Sequence, residues 1–260
     1  MKLSMDGRSA LITGGSLGIG RAIAKRFVEA GANVAIVARR QEVLDEAKAD
    51  IEKSGNGKVV TIAADVATAE GCRTAFTEAE IAFGQIDVLV NNAGSSARGA
   101  FAEISDETWQ ADIDLKLFGA IRLTRLAFPK MKDRKWGRII NVLNTGAKAP
   151  PAEGAPTAVT RAAGLALTKV IAGEGAPHNV LVNSLHVGRI ESDQWVKRHA
   201  TEGKGRSMED FYDEMGGIIP MGRVGTAQEF ANVALFLASD AGSYVTGTAI
   251  NVDGGMSPVT

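Results

Sequence analysis

The chain has 260 residues, 45% of them hydrophobic and 23% charged, with 29 Lys and Arg against 30 Asp and Glu. This length fills a core in one large α/β domain, and the net charge of -1 argues against a protein built to grip nucleic acid or acidic membranes. The single cysteine, Cys72, excludes an intrachain disulfide framework and a cysteine-rich zinc site. The opening MKLSMDGRSA lacks the apolar core of a secretory signal, and no apolar run reaches the ~20 residues that span a bilayer. The expectation is a cytoplasmic protein with a small-molecule partner.

Short β-prone runs alternate with longer amphipathic ones from end to end. The predicted strands are Ala10–Thr13, Val34–Val37, Val59–Ala63, Val88–Asn91, Arg138–Val142, Leu181–Leu185 and Thr248–Val252. Between them helical period shows in Ile19, Ile23, Phe27 and Ala30, then Cys72, Phe76, Ala79 and Phe83, and late in the chain Phe230, Val233, Ala234 and Leu237. Cys72 therefore reads as a buried core thiol. Strands alternating with helices of this length imply βαβ units and a doubly wound parallel sheet of Rossmann type, one domain over 1–260. Its ligand crevice would open at the carboxyl ends of the strands. The polar, weakly periodic stretch 189–217 suits a lid or short helical insertion over that crevice.

The first predicted strand runs into Thr13-Gly14-Gly15-Ser16-Leu17-Gly18-Ile19-Gly20 and then a helix. Glycine at 14 permits a tight turn, at 18 a close approach of backbone N–H groups to a diphosphate, and at 20 close packing of helix on sheet. The helix amino end adds oriented donors and a partial positive charge.

With this turn the chain carries Asp65-Val66, Asn91-Asn92-Ala93-Gly94, Asn183, Val187-Gly188, Arg223-Val224-Gly225, Ser243-Tyr244-Val245-Thr246-Gly247 and Asp253-Gly254-Gly255. In that order these motifs resemble the short-chain dehydrogenase/reductase family nearly end to end. The resemblance implies that Gly14, Ser16, Leu17, Gly18 and Ile19 hold a diphosphate and that Asp65 and Val66 meet an adenine. Asn92, Ala93 and Gly94 would line the ribose and the crevice. Val187, Gly188, Ile190 and Ser192 would lie at the nicotinamide. Asn91 serves the crevice or a structural hydrogen bond. Where an acid after the second strand would select NAD, this chain has Arg39 and Arg40, which favours NADP(H) over NAD(H). The family also implies a homo-oligomer, a tetramer or dimer, packed through the long helices beside the site and the carboxyl segment.

The family's catalytic positions have all changed. Thr157 stands at the Tyr position, Arg161 at the Lys position, Asn144 at the Ser position and Lys116 at the Asn position. A threonine hydroxyl is a far weaker acid than a phenol, and an arginine holds its proton above pH ~12. Asn144 can still donate to a substrate oxygen, and Arg161 can still hold a ribose. Two residues could replace the missing acid. His186 has an ordinary pKa of ~6.5, though a strand-end structural role is also open. Lys116 would face the crevice beside Arg161, whose charge would depress its pKa. Lys148, Glu153 and Tyr212 lie in flanking loops, and the cations hint at an anionic substrate. Two functions follow: an NADP(H)-dependent oxidoreductase on a carbonyl or alcohol with a non-standard proton donor, or a nucleotide-binding protein without redox chemistry, isomerase-like, lyase-like or regulatory.

Overall fold

The computed structural model describes residues 3–203 and 205–260; residues 1 and 2 of the expected domain, and 204 of the expected lid, lie outside them. Seven strands form one parallel sheet: β1 (Ser9–Thr13), β2 (Asn33–Ala38), β3 (Val59–Ala63), β4 (Val88–Asn91), β5 (Gly137–Asn144), β6 (Val180–Val187) and β7 (Ala249–Val252). Their order is β3-β2-β1-β4-β5-β6-β7. The predicted strands match, with β5 and β6 each running two residues farther at the carboxyl end, to Asn144 and Val187. There Asn144 pairs with Val187, so the extra length brings two candidate site residues to one strand end.

Both faces of the sheet are covered, and side chains sort by the strand's two-residue period. Ala10, Ile12, Val34 and Ile36 pack against α1 (Gly18–Glu29), α2 (Gln41–Ile51) and a late helix, α9 (Ala227–Ala238), through Phe27, Leu44 and Phe230. Leu11, Ala35 and Leu89 pack the other way, against α3 (Ala69–Phe83) and α5 (Gly119–Asp133), through Phe76, Leu123 and Met131. On that second face Cys72 is fully buried, and burial raises its thiol pKa to about 11, so it is an inert core group. A further helix, α6 (Thr157–Gly175), packs on β5 and β6.

The order of strands reverses between β1 and β4, and the crevice opens there. Its first wall is the turn from β1 to α1, with Gly14 and Gly18 at φ +64° and +51°. Gly20 has a different reason to be glycine: a Cβ there would lie 2.1 Å from the Gly14 carbonyl oxygen. The 189–217 stretch forms two helices, α7 (Asp193–Glu202) and α8 (Met208–Gly216), the latter opened by a Ser207–Asp210 capping box. Phe211, Met215, Ile219 and Val224 give them a small apolar core of their own, with Trp195, Tyr212 and Met256 around it.

Gly20→Ala should therefore force the turn and α1 apart and cost about 1–3 kcal/mol. Gly173→Ala, within α6 and with nothing near its Cβ direction, should instead stabilise by up to ~1 kcal/mol. Urea denaturation of the two variants beside the wild type checks both signs.

Candidate active site

The turn after β1 is fastened to the turn after β4. Thr13 Oγ1 accepts from the backbone N–H groups of Asn92 (2.9 Å) and Ala93 (3.0 Å). The Asn92 amide donates back to the carbonyls of Thr13 and Gly14, at 2.9 and 3.2 Å. The side chain of Asn92 thus shapes the glycine turn. Asn91 takes its structural alternative: its amide donates to Asn141 Oδ1 at 2.9 Å, and Asn141 donates on to Thr168.

α1 begins at Gly18 after an extended Leu17, with no side-chain cap and no acid in its first turn. Other helices here close that end with a hydroxyl, as Thr68, Ser207 and Thr226 do. The first N–H groups of α1 are left for an anion, beside the buried Ser16 and half-buried Ile19. Gly18 has Ser192 opposite, 3.5 Å from where its Cβ would be. At Gly188 a Cβ would strike Asp253 at 2.4 Å, which makes glycine obligatory beside the half-buried Val187. Val66 and Ile190 send their side chains into the core and leave only backbone for a ligand. Asp65 is exposed, its carboxylate accepting from Ala67 N–H. Arg39 and Arg40 are exposed just past β2.

Lys116, Thr157 and Arg161 come together in a buried cluster. A helix before the site, α4 (Asp106–Ile113), passes through a single π-turn, Asp114–Phe118, into α5. Lys116 lies in that π-turn and Asp112 one turn earlier, and their charged ends are bonded together with both side chains 2% exposed or less. Lys116 Nζ also donates to Thr157 Oγ1 at 2.7 Å. Arg161 donates from Nη1 to the Val142 carbonyl at 2.5 Å, and its Nη2 lies 2.5 Å from where a Gly94 Cβ would sit, so any larger residue at 94 would have to displace the end of that guanidinium. Asp112 Oδ2, Asn144 Oδ1 and Arg161 Nε are buried and without a hydrogen-bond partner among the described residues.

This geometry changes two expectations. Lys116 does not lie open to the crevice; it is enclosed beneath Thr157. Its pKa falls to about 8, first through burial and only secondarily through the charge of Arg161, against the pull of the Asp112 carboxylate. Asp112 is the residue that sequence reasoning missed. Its signal was the four-residue spacing to Lys116, which puts the two on one helical face. Thr157 is enclosed as well. Its hydroxyl accepts from Ala97 N–H at 2.9 Å, and its own N–H donates to the Ala97 carbonyl at 3.3 Å. The segment after β4 is clamped across the amino end of α6. Arg161 falls to about 10 through burial and stays protonated at neutral pH.

His186 is wholly buried on β6. Its Nδ1 lies 3.1 Å from the Asn144 carbonyl and its Nε2 3.0 Å from Ser184 Oγ, so Nδ1 donates and Nε2 accepts. Burial, with the charge of Lys148 next, lowers its pKa to about 4. At neutral pH it has no proton to give beyond the one it shares with Asn144, and the geometry is that of a structural histidine. Lys148 itself donates to the Ala249 carbonyl at 2.6 Å. Glu153 is exposed, and Tyr212 belongs to the small core of the two-helix segment. That segment reaches the crevice through Gln194, whose amide donates to the Gly94 carbonyl at 3.4 Å.

Comparison with known proteins agrees with this architecture. Residues 14–257 match the family model described as enoyl-(acyl carrier protein) reductase. The chain is 34% identical over 256 residues to the 3-oxoacyl-[acyl-carrier-protein] reductase FabG of Aquifex aeolicus, covering 98% of this chain and 100% of the relative. It superposes on the L-sorbose reductase of Gluconobacter frateurii, solved with NADPH and L-sorbose, with a TM-score of 0.95 at 34% identity over 100% of both chains. A 3-oxoacyl (acyl-carrier-protein) reductase from Agrobacterium tumefaciens with NADP bound gives 0.89 at 31% identity, over 98% of this chain and 96% of that one. The chain belongs to the short-chain dehydrogenase/reductase family of oxidoreductases. No helix among the described residues is long and apolar enough to cross a membrane.

The buried histidine has a measurable consequence. Its folded pKa of about 4 lies below the ordinary 6.5, so the unfolded chain binds its proton first as pH falls. Stability should drop from this group by about 2 kcal/mol between pH 7 and pH 5. Denaturant melts at the two pH values should show that loss in the wild type and not in His186→Asn.

Proposed function

We propose that this chain is an NADP(H)-dependent oxidoreductase acting on a carbonyl or alcohol substrate, with Lys116 as proton donor in place of the family's tyrosine. The observation that carries the reading is the Lys116 ammonium 2.7 Å from the hydroxyl at the tyrosine position. The residues present fit the nucleotide. The uncapped start of α1, with Gly14, Ser16, Leu17, Gly18 and Ile19, would take the diphosphate. Arg39 and Arg40 stand exposed where a 2′-phosphate would lie, and no acid competes there until Glu42. Asp65, Val66, Ala93 and Gly94 would border the adenosine half, and Val187, Gly188, Ile190 and Ser192 the nicotinamide half. Arg161 would hold the adjoining ribose. Both solved relatives described above carry NADPH or NADP.

When bound, NADPH supplies the hydride that a carbonyl carbon gains. Asn144 orients the substrate oxygen through its amide. Lys116, with a pKa of about 8, is still mostly ammonium at pH 7 and can release its proton to that oxygen. For it to do so, the clamp between Ala97 and Thr157 must loosen. Two cations, Lys116 and Arg161, against the one carboxylate of Asp112 leave a single positive charge, which favours an anionic substrate. The exposed Phe118, Val159 and Val170, beside or on α5 and α6, and Tyr244 near the carboxyl end suit the homo-oligomer, dimer or tetramer, that the family implies. No nucleic acid or membrane enters this reading, and a cytoplasmic location suits it.

A second reading has one observation in its favour. Lys116 is enclosed, its side chain 1% exposed, and Thr157 is bonded to Ala97. A site sealed in this way suits a nucleotide-binding protein without redox chemistry. Calorimetric titration and stopped-flow turnover separate the two. NADPH should bind more tightly than NADH, and Arg39→Ala should erase the difference. NADPH should then be oxidised with a carbonyl compound, beginning with L-sorbose and a 3-oxoacyl thioester. Lys116→Met should slow that turnover by ~10²–10⁴. Binding without oxidation by any carbonyl would favour the second reading.

A further inference from the structure

The buried charges around Thr157 hold a group that neither the family pattern nor the four changed positions explain. Asp112 is a carboxylate on α4, 5% exposed as a residue and enclosed against α6. A buried carboxylate is costly unless it has a task for both oxygens. Here Oδ1 takes the Lys116 ammonium and lies 3.4 Å from Thr157 Oγ1, while Oδ2 has no partner among the described residues. We propose that Asp112 is a positioning residue for proton transfer, holding the Lys116 ammonium against the Thr157 hydroxyl and keeping it charged until a substrate oxygen takes the proton. The proposal rests on the oxidoreductase reading given above.

The groups facing Lys116 are few. Asp112 comes from α4, Thr157 and Arg161 from α6, and the backbone of Gly94 from the segment after β4. On its own turn, Asp114 is engaged elsewhere, by Arg122 at 3.3 Å and Gln110 at 2.8 Å. Among the described residues Asp112 is therefore the one carboxylate that opposes both the burial of the ammonium and the repulsion of Arg161. The step balances simply. One N–H bond of Lys116 breaks and one O–H bond forms on the substrate oxygen, as the carbonyl carbon gains the hydride. Lys116 becomes a neutral amine and keeps an N–H donated to Asp112 Oδ1. Solvent restores the proton afterwards, and oxidation of an alcohol reverses each transfer.

The sign of the effect is fixed. Asp112 stabilises the charged lysine, so Asp112→Asn must lower the lysine pKa. Reduction needs the ammonium, so its rate falls as pH rises through that pKa, and the fall should begin at a lower pH in the variant. The test follows Lys116 by carbon-13 NMR of the full-length protein labelled at lysine Cε, with the signal assigned by its disappearance in Lys116→Met. In the wild type the signal should titrate near 8, and in Asp112→Asn about one unit or more lower. An unmoved midpoint overturns the proposal, and so does a moved midpoint with the pH at which NADPH turnover falls left unchanged, since a purely structural ion pair would shift the titration and not the pH profile of the reaction. Should Asp112→Asn fail to fold, the Asp112 Cγ signal of the wild type decides. It should inflect at the lysine midpoint, and a flat trace there overturns the proposal. Turnover with NADPH is measured in parallel. A wild type that shows both NMR responses yet oxidises no NADPH with any carbonyl sinks the oxidoreductase reading and the delivery step with it. Turnover with an unmoved midpoint sinks the role of Asp112 alone.

Discussion

The crevice depends on how two strand ends are fastened to each other. At the carboxyl ends of β1 and β4 the chain leaves the sheet in opposite directions, and on the β2 side the Val37 carbonyl still takes the Gly14 and Gly15 N–H groups. One hydroxyl, that of Thr13, receives two N–H groups of the second turn and donates at 3.3 Å to the Val90 carbonyl. The Asn92 amide returns two hydrogen bonds to the first. Side chains thus do what the sheet cannot do past its last rung. They fix the glycine turn, and through Gly20 the start of α1, without placing a side chain where a ligand's phosphates would approach.

On the other side of the crevice a different economy operates. Thr157, Lys116 and Arg161 each have a hydrogen-bond partner there, while Asn144 Oδ1 and Arg161 Nε have none among the described residues. Thr157 is too short to cross the space a tyrosine would fill, and its hydroxyl serves Ala97 and Lys116. Lys116 reaches that hydroxyl from the π-turn, with Asp112 balancing its charge. Such a pair is costly to bury and costlier to break, since removal of one partner strands the other. The cluster behaves as one unit for that reason.

The sheet and its wrapping helices were legible in the sequence because burial on both faces writes strands as short apolar runs, and helical period survives between them. Strand ends were less legible. Asn144 and Val187 belong to β5 and β6 although neither is part of an apolar run, because the pairing of the two strands carries them along. The glycine turn was readable from spacing. The orientation of Asn92, toward backbone carbonyls, was not, because the residue type alone allows either role. His186 shows the same limit: its place at a strand end was evident, but its burial depends on Ser184 and the Asn144 carbonyl, which only the fold brings together. Asp112 escaped because a buried carboxylate looks, in sequence, like any acid on a solvated helix face. The π-turn that aims Lys116 inward has no local signature at all.

The clamp at Ala97 also ties the fate of each residue in the cluster to its neighbours. The oxygen that bonds Ala97 and Lys116 is attached to the Cβ of residue 157. A tyrosine carries its oxygen at the far end of a ring, so replacing Thr157 alone would unfasten the loop and leave the Asp112–Lys116 pair without its third partner. Replacing Lys116 alone would bury an uncompensated carboxylate. Each of these single replacements would therefore cost stability. These residues are coupled: a change at any one of them is felt at the others.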